Sequence, residues 1–220
     1  MKKALILANG LHPSKSVIQY LQKNGYKTLI CADGGANSAY KLGLVPDFII
    51  GDLDSINTKV NKHYESKSKI IKYKRQNDTD VEKCLKYLIK KKYEEVILLG
   101  ATGDRLDHSF CNMGIVLKFF NEIKINILHQ KSFLKCFTGK VKLNTTKDEI
   151  ISLYGFDKKT KIKSAGLKYP LENVSLPFGE KESTSNAAVS NEVELKITGG
   201  KIFVIRDFNT LRKNGYFQQS

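Results

Sequence analysis

The sequence contains no tryptophan, only four prolines in 220 residues, and four widely spaced cysteines. No two of these cysteines have the spacing of a metal-binding pair, so we expect neither a zinc site nor a disulfide framework. We predict that each is a small buried apolar residue. They are Cys31, Cys84, Cys111 and Cys136.

Long hydrophobic runs are also missing. No apolar stretch approaches the roughly 20 residues that cross a membrane, and the apolar start of the chain is too short for a secretory signal. At 41% hydrophobic residues the chain still has enough apolar side chains for a globular core. We therefore expect a cytoplasmic protein without a membrane partner.

Arginine is scarce although the chain is basic. The formal net charge is +15, yet only four of the 37 basic residues are arginines. Lysine supplies charge without the planar fork that reads bases or clamps phosphates. We expect the charge to favour solubility and to attract anionic substrates, and we expect no specific nucleic-acid partner. A non-enzymatic RNA-binding module is the alternative that the charge leaves open.

Two common nucleotide-binding motifs are absent from the sequence. It has neither the Gly-x-x-x-x-Gly-Lys-Ser/Thr loop of P-loop NTPases nor the Gly-x-Gly-x-x-Gly fingerprint of dinucleotide dehydrogenases. A standard member of either class is therefore not supported.

Strand and helix patterns alternate over residues 1–130. The predicted strands cover 4–8, 28–32, 48–50, 69–73, 96–100 and 124–129. Helices are predicted between Pro13 and Gly25, over 34–42, 57–66 and 106–120, and after a capping box at Thr79. This alternation predicts an α/β domain, with a mostly parallel sheet and helices on both faces.

The pattern changes after residue 130. Short alternating segments follow at 140–143, 149–154, 161–167, 193–198 and 202–205, with no helical periodicity. We predict a smaller all-β, sandwich-like domain over residues 131–220, joined to the first domain near residues 130–138.

An acidic turn, Gly51-Asp52-Leu53-Asp54-Ser55, follows the third predicted strand. If the backbone stays extended, Asp52 and Asp54 point to the same side, about 7 Å apart. Such carboxylates repel each other unless a cation or a shared proton intervenes, and Mg²⁺ prefers carboxylates together with phosphate oxygens. The turn therefore indicates a metal-dependent phosphate site. The alternative is that Asp52 and Ser55 only cap a turn and the next helix.

Other polar loops follow the remaining strands and are expected at the same sheet edge, where ligands bind in open parallel sheets. Their glycines let backbone N–H groups approach an anion. Taken singly, each loop could be no more than a turn or a helix cap. Likewise, Arg105 could form an ion pair with Asp104 or Asp107 instead of binding a phosphate. The loops span residues 31–37, 75–80 and 100–108.

These stretches, in this order, resemble thiamine pyrophosphokinases (thiamine diphosphokinases). The matching segments are Asp-Gly-Gly-Ala-Asn at 33–37, the acidic turn at 51–55, Thr-Asp at 79–80, Gly-Ala-Thr-Gly-Asp-Arg-Leu-Asp-His at 100–108 and Ser-Thr-Ser-Asn at 183–186. Such enzymes transfer the β,γ-diphosphate of ATP to the hydroxyl of thiamine and release AMP. The resemblance implies an ATP- and Mg²⁺-binding catalytic domain over 1–130, and a thiamine-binding domain over 131–220 that forms a homodimer.

The resemblance also implies roles for individual residues. Asp52, Asp54 and Asp80 would be the Mg²⁺ ligands and catalytic carboxylates, supported by Asp33. The nucleotide would contact Asp33, Gly34, Gly35, Asn37, Thr102, Gly103, Arg105, Asp107 and His108. Thiamine would contact Gln76, Tyr169, Ser183, Ser185 and Asn186, with Tyr169 stacking on its pyrimidine from the partner subunit.

One departure concerns the metal ligands, because members of the family often carry an acid where Asn77 stands. Either Asp78 substitutes for that acid or one ligand is lost. Two enzymatic alternatives remain: a diphosphokinase acting on a hydroxymethylpterin, and a Mg²⁺-dependent phosphohydrolase that uses water as the nucleophile.

Overall fold

The computed structural model describes residues 1–73, 77–103 and 105–218. The chain forms two compact units, Met1–Gln130 and a second that begins at Lys131. Within the described residues, no helix has the length and apolar character needed to span a membrane.

The first unit is a six-stranded sheet with helical connections, as predicted. Its strands are all parallel, in the order β6-β5-β1-β2-β3-β4. The elements are β1 (Lys3–Leu7), α1 (Lys15–Lys23), β2 (Thr28–Ala32), α2 (Gly35–Lys41), β3 (Phe48–Gly51), α3 (Thr58–Tyr64), β4 (Lys69–Lys72), α4 (Asp80–Lys90), β5 (Glu95–Leu99), α5 (Leu106–Lys118) and β6 (Lys124–His129).

Burial within this sheet follows the strand order. Every residue of β5 is buried, as in a central strand covered on both faces, whereas β4 at the sheet edge is partly exposed. Helices α1 and α4 pack apolar residues such as Ile18, Leu21 and Leu85 into the core. The predicted capping box at Thr79 is confirmed, since its side chain and that of Glu82 each accept the other's backbone N–H.

The strand order creates a crevice. The chain runs from β1 outward through β2, β3 and β4, then returns to place β5 and β6 on the other side of β1. The connections that follow β1 and β5 therefore lead to strands on opposite sides, and α/β proteins of this kind bind ligands at the carboxyl edge of the sheet beside such a reversal.

The second unit is antiparallel. Its longest strand, β11 (Glu192–Asp207), pairs with β7 (Ser132–Asn144) along its length, with an irregularity between Ile197 and Ile202. The part before the irregularity pairs with β9 (Lys161–Ala165), and the part after it pairs with β8 (Ile150–Tyr154). Strand β10 (Ser183–Ala187) extends the sheet from β8. The core between these strands is aliphatic, including Ile151, Leu153 and Val193.

Several details differ from the sequence predictions. Residues 132–138, expected to connect the domains, belong to β7, and the segments predicted at 193–198 and 202–205 form the single strand β11. The region expected to be all-β also contains the short helix α6 (Phe208–Lys213). This helix was not predicted because six residues are too few to show helical periodicity. The prediction that Cys111 is buried is wrong, since it lies on an exposed face of α5.

Candidate active site

Three carboxylates meet at the carboxyl edge of the first sheet. Asp33 follows β2, Asp52 follows β3, and Asp80 is the first residue of α4. One carboxylate oxygen from each lies within 4.8 Å of the others. Because β2 and β3 are parallel neighbours, their ends place Asp33 and Asp52 side by side, and the capped first turn of α4 brings in Asp80.

A glycine makes this convergence possible. A Cβ atom added at Gly51 would lie 2.7 Å from Cβ of Asp33 and 3.2 Å from Oδ1 of Asp80. The first distance is shorter than real Cβ contacts, so a side chain at position 51 would push the aspartates apart. The glycine of the acidic turn therefore has a steric role beside the carboxylates.

The carboxylates have unsatisfied oxygens. Oδ2 of Asp33 accepts the N–H of Ser55 at 3.1 Å, but Oδ1 of Asp33 and Oδ1 of Asp52 are buried without a partner among the described residues. Burial raises the pKa of Asp33, and the nearby Asp80 charge adds to this effect. Buried carboxylate oxygens without donors fit a cation, so the three residues suit a divalent metal.

Lys83 is the nearest positive charge to this group in the part of the chain that the structure describes. Its Nζ lies 2.7 Å from Oδ1 of Asp80 and 3.5 Å from Oδ2 of Asp52, and its side chain is 4% exposed. This residue was not predicted from the sequence. Its spacing of three residues from Asp80 on a predicted helix was the available signal.

Asp54 lies outside the group of three carboxylates. The condition under which Asp52 and Asp54 would point to the same side, an extended backbone through the turn, is not met, because β3 ends at Gly51 and Leu53 adopts a left-handed φ of 68°. Asp54 is exposed and accepts a hydrogen bond from the hydroxyl of Ser55 at 2.9 Å, which lowers its pKa. The capping alternative also fails for the next helix, since α3 has Asn57 as its N-cap.

A crevice of about 270 Å³ opens beside the carboxylates, slightly below the usual size range of ligand sites. It lies beyond the ends of β1, β2 and β5, at the reversal in strand order. The predicted site residues that line it are Asp33, Gly34, Asp80, Thr102, Arg105 and His108. Lining residues that the sequence analysis missed include Asn9, Gly10, Cys111 and Asn112.

The loops around the crevice are held by hydrogen bonds. The N–H of Gly10 donates to the carbonyl of Gly100 at 2.7 Å, which joins the loops after β1 and β5. The Thr102 hydroxyl lies 2.8 Å from Nδ1 of His129, and the Asn112 amide donates to the carbonyl of Ala101 at 2.7 Å. The loop after β1 could have been predicted from the same strand-end rule that found the other loops.

Some residues that were predicted to bind the nucleotide make contacts within the protein. A Cβ at Gly35 would lie 2.0 Å from the carbonyl oxygen of Leu7, so this glycine packs α2 against β1. Asn37 connects α2 to the acidic turn by donating to the carbonyl of Ser55 at 2.8 Å. Arg105 and Asp107 form an exposed ion pair, as the alternative interpretation of Arg105 allowed.

The loop after β4 is described only in part. Asp78 accepts a hydrogen bond from Lys86 at 2.7 Å and is not one of the three grouped carboxylates, while Asn77 is exposed. Gln76, predicted to contact thiamine, lies outside the described residues, as do Arg75 and Asp104.

In the second unit, the predicted substrate residues form a cluster around Asn186. This side chain is buried, accepts the N–H of Tyr169 at 3.1 Å and donates to the carbonyl of Tyr169 at 2.7 Å and to Oγ of Ser183 at 3.1 Å. Asn186 thus fixes the backbone at Tyr169, whose ring is 62% exposed. Ser185 is exposed and has a left-handed φ of 55°, at the register shift of β10.

The parallel sheet, the reversal of strand order and the acid-lined crevice define an α/β protein with a candidate ligand site at the carboxyl edge of the sheet, where three carboxylates could hold a metal ion. The sequence matches the family description "Thiamin pyrophosphokinase, catalytic domain" over residues 19–128 and "Thiamin pyrophosphokinase, vitamin B1 binding domain" over residues 139–202. The chain belongs to the thiamin pyrophosphokinase family, which confirms the resemblance found in the sequence.

Individual relatives agree with this assignment. Thiamin pyrophosphokinase 1 of Caenorhabditis elegans is 27% identical over 205 residues, which cover 86% of this chain and 83% of the relative. Thiamine pyrophosphokinase of Bacillus subtilis is 26% identical over 184 residues, covering 80% and 86%. The crystal structure of thiamine pyrophosphokinase from Bacillus subtilis has a TM-score of 0.81 at 23% identity, over 94% of this chain and 99% of that one. The fold is therefore shared.

Proposed function

We propose that this protein is a thiamine diphosphokinase, which transfers the diphosphate of ATP to the hydroxyl of thiamine and produces thiamine diphosphate and AMP. The observation that carries the proposal is the group of Asp33, Asp52 and Asp80 beside a crevice, in a chain that belongs to the thiamin pyrophosphokinase family. Diphosphoryl transfer depends on positioning and on neutralising phosphate charge, and this edge of the sheet is suited to both.

We further propose Mg²⁺ as the metal. Asp33, Asp52 and Asp80 would hold it, because their oxygens converge and two of them lack partners among the described residues. When bound, Mg²⁺ would neutralise phosphate oxygens and polarise the phosphorus under attack. Asp54 is exposed and follows Asp52 by two residues, and we propose that it is also a catalytic carboxylate.

The remaining site residues are proposed to bind the two substrates, the nucleotide and thiamine. Gly34, Gly35, Asn37, Thr102, Gly103, Arg105, Asp107 and His108 are proposed to surround the nucleotide. Arg105 would exchange its exposed partner Asp107 for a phosphate, since both side chains are 63% exposed. Gln76, Tyr169, Ser183, Ser185 and Asn186 are proposed for thiamine, with Asn186 acting by holding the backbone of Tyr169.

We also propose a homodimer in the cytoplasm. The second unit exposes large apolar side chains, among them Tyr169, Phe178 and Val189, which are typical of contact surfaces. All four cysteines are free, which suits a reducing compartment.

The proposal is tested by measuring AMP formation from Mg-ATP with thiamine, with a hydroxymethylpterin and with neither acceptor. We expect AMP only with thiamine, and at least about a hundredfold loss in Asp80→Asn, because one of three charges that bind the metal is removed. Asp148→Asn is the matched control, since Asp148 is exposed in the second unit and has a φ of 66° that asparagine tolerates. AMP formation without an acceptor, or only with the pterin, would refute the thiamine assignment.

A further inference from the structure

A buried lysine lies among the carboxylates that we propose as metal ligands. Lys83 is on α4, three residues after Asp80, so the helix itself directs its side chain toward Asp80. Its Nζ donates to Oδ1 of Asp80 at 2.7 Å and lies 3.5 Å from Oδ2 of Asp52. A buried ammonium is costly unless it is paired, so these two carboxylates are what makes the position tolerable.

Lys83 contacts two of the three carboxylates that we propose as metal ligands. Asp52 uses Oδ2 toward Lys83 while its Oδ1 has no partner among the described residues. Asp33, the third member of the group, makes no ion pair within the described part of the chain. One ammonium therefore offsets part of the charge of three aspartates and links two of them.

We propose that Lys83 is a positioning residue that holds Asp52 and Asp80 together before metal binds and competes with the divalent cation for their oxygens. This inference rests on the proposed function only in taking the three aspartates as ligands of a divalent cation. The free protein consequently binds a divalent cation weakly. Binding strengthens when a nucleotide is present, because its phosphates offset the combined positive charge of the lysine and the metal.

Lys86 provides a matched control on the same helix. It lies on α4 three residues after Lys83, and its Nζ donates a hydrogen bond to Oδ1 of Asp78 at 2.7 Å. Its side chain is 47% exposed, in contrast to 4% for Lys83. Replacing Lys86 therefore removes the same charge from the same helix without touching Asp52 or Asp80.

The test is Mn²⁺ binding to the full-length protein without nucleotide, measured by electron paramagnetic resonance. We expect Lys83→Met to bind Mn²⁺ at least about tenfold more tightly than the wild type, because a competing like charge is removed. Lys86→Met should match the wild type within about twofold. Lys83→Arg keeps the charge, so its affinity should stay close to that of the wild type.

The nucleotide dependence provides a second readout. A non-hydrolysable ATP analogue should tighten Mn²⁺ binding to the wild type by a larger factor than it does for Lys83→Met. A purely structural lysine would leave this factor unchanged.

Equal or weaker Mn²⁺ binding by folded Lys83→Met would overturn the proposal. If circular dichroism shows that this variant does not fold, Lys83→Gln, which keeps a donor for Asp80, is held to the same expectation. The binding assay contains no thiamine. A wild type that forms no thiamine diphosphate would therefore refute the proposed function alone, whereas active wild type with unchanged Mn²⁺ binding in Lys83→Met would refute only this inference.

Discussion

At the scale of single residues, Gly51 shows how a missing side chain creates the candidate metal site. Asp33 and Asp80 approach each other over the space that a Cβ at position 51 would occupy. The same residue ends β3 and begins the acidic turn, so the strand, the turn and the carboxylates share one steric requirement.

Gly51→Ala should therefore separate the carboxylates. We expect at least about a tenfold loss of thiamine-dependent AMP formation, with a stability cost of about 1–3 kcal/mol from overpacking. The control is Gly114→Ala in α5, where nothing lies within 4 Å of the added Cβ. That change should stabilise the protein by about 0.5–1 kcal/mol and leave activity unchanged. An active Gly51→Ala protein would contradict the steric account.

A buried ion pair in the second unit should be costly to break. Arg206 donates from Nε to Glu149 at 2.6 Å, and both side chains are at most 7% exposed. Arg206→Met leaves the Glu149 charge buried and unpaired, so we expect a loss of about 3–5 kcal/mol in the free energy of unfolding. Urea unfolding followed by circular dichroism measures this loss, because the chain has no tryptophan for fluorescence.

Lys142→Met is the control for this prediction. Lys142 pairs with Glu192 and Glu194 in the same unit, but its side chain is 66% exposed. We expect a cost below about 1 kcal/mol. Equal losses in the free energy of unfolding for the two variants would mean that burial does not determine how much these ion pairs contribute to stability.

At the scale of elements, α4 has the largest share of the site, because its first turn contains Asp80 and Lys83. Thr79→Ala removes the side-chain acceptor that caps this turn, and we expect a loss of about 1 kcal/mol in the free energy of unfolding. Asn57→Ala at the start of α3 should cost less, because the Asn57 side chain makes no capping hydrogen bond. Denaturant titrations of the two variants compare the two caps directly.

The same helix predicts a pH dependence through Glu82. Burial opposes ionisation of this side chain, but hydrogen bonds from Lys118 and from the N–H of Thr79 outweigh burial and lower its pKa below the usual 4.5. Ionised Glu82 therefore stabilises the folded protein above about pH 4.5, and this contribution is lost as the pH falls through the lowered pKa.

Glu82→Gln should accordingly destabilise the protein at neutral pH and converge with the wild type in acid. Because Lys118 is 58% exposed, we expect a modest difference, of about 1 kcal/mol. Unfolding curves recorded from neutral pH to below pH 4.5 would test this. A difference that grows on acidification would contradict the assignment.

At the scale of the whole molecule, the carboxyl-edge rule explains why much of the site could be predicted. Parallel strands end at one edge, so the sequence alone predicts that Asp33, Asp52 and Asp80 lie close together. The position of Asp54 could not be predicted, because Leu53 has a left-handed φ of 68°, which a leucine rarely adopts. Lys83 was missed because a lysine on an amphipathic helix usually faces solvent.

The second unit was harder to predict for a different reason. Strand β11 was predicted as two segments because its pairing is irregular between Ile197 and Ile202, and the first half of β7 was predicted as the connection between the domains. The surroundings of Asn186 also could not be predicted from its motif. Its buried amide makes hydrogen bonds with Tyr169, Ser183 and the backbone of Ala187, and its role toward thiamine stays a proposal.

The most direct test of the central claim is phosphorus-31 NMR of the complete reaction with ATP, Mg²⁺ and thiamine. Transfer of an intact diphosphate predicts one AMP for each thiamine diphosphate, without ADP or free phosphate, and no reaction in Asp52→Asn. ADP or inorganic phosphate as the main product, or full activity in Asp52→Asn, would contradict the account.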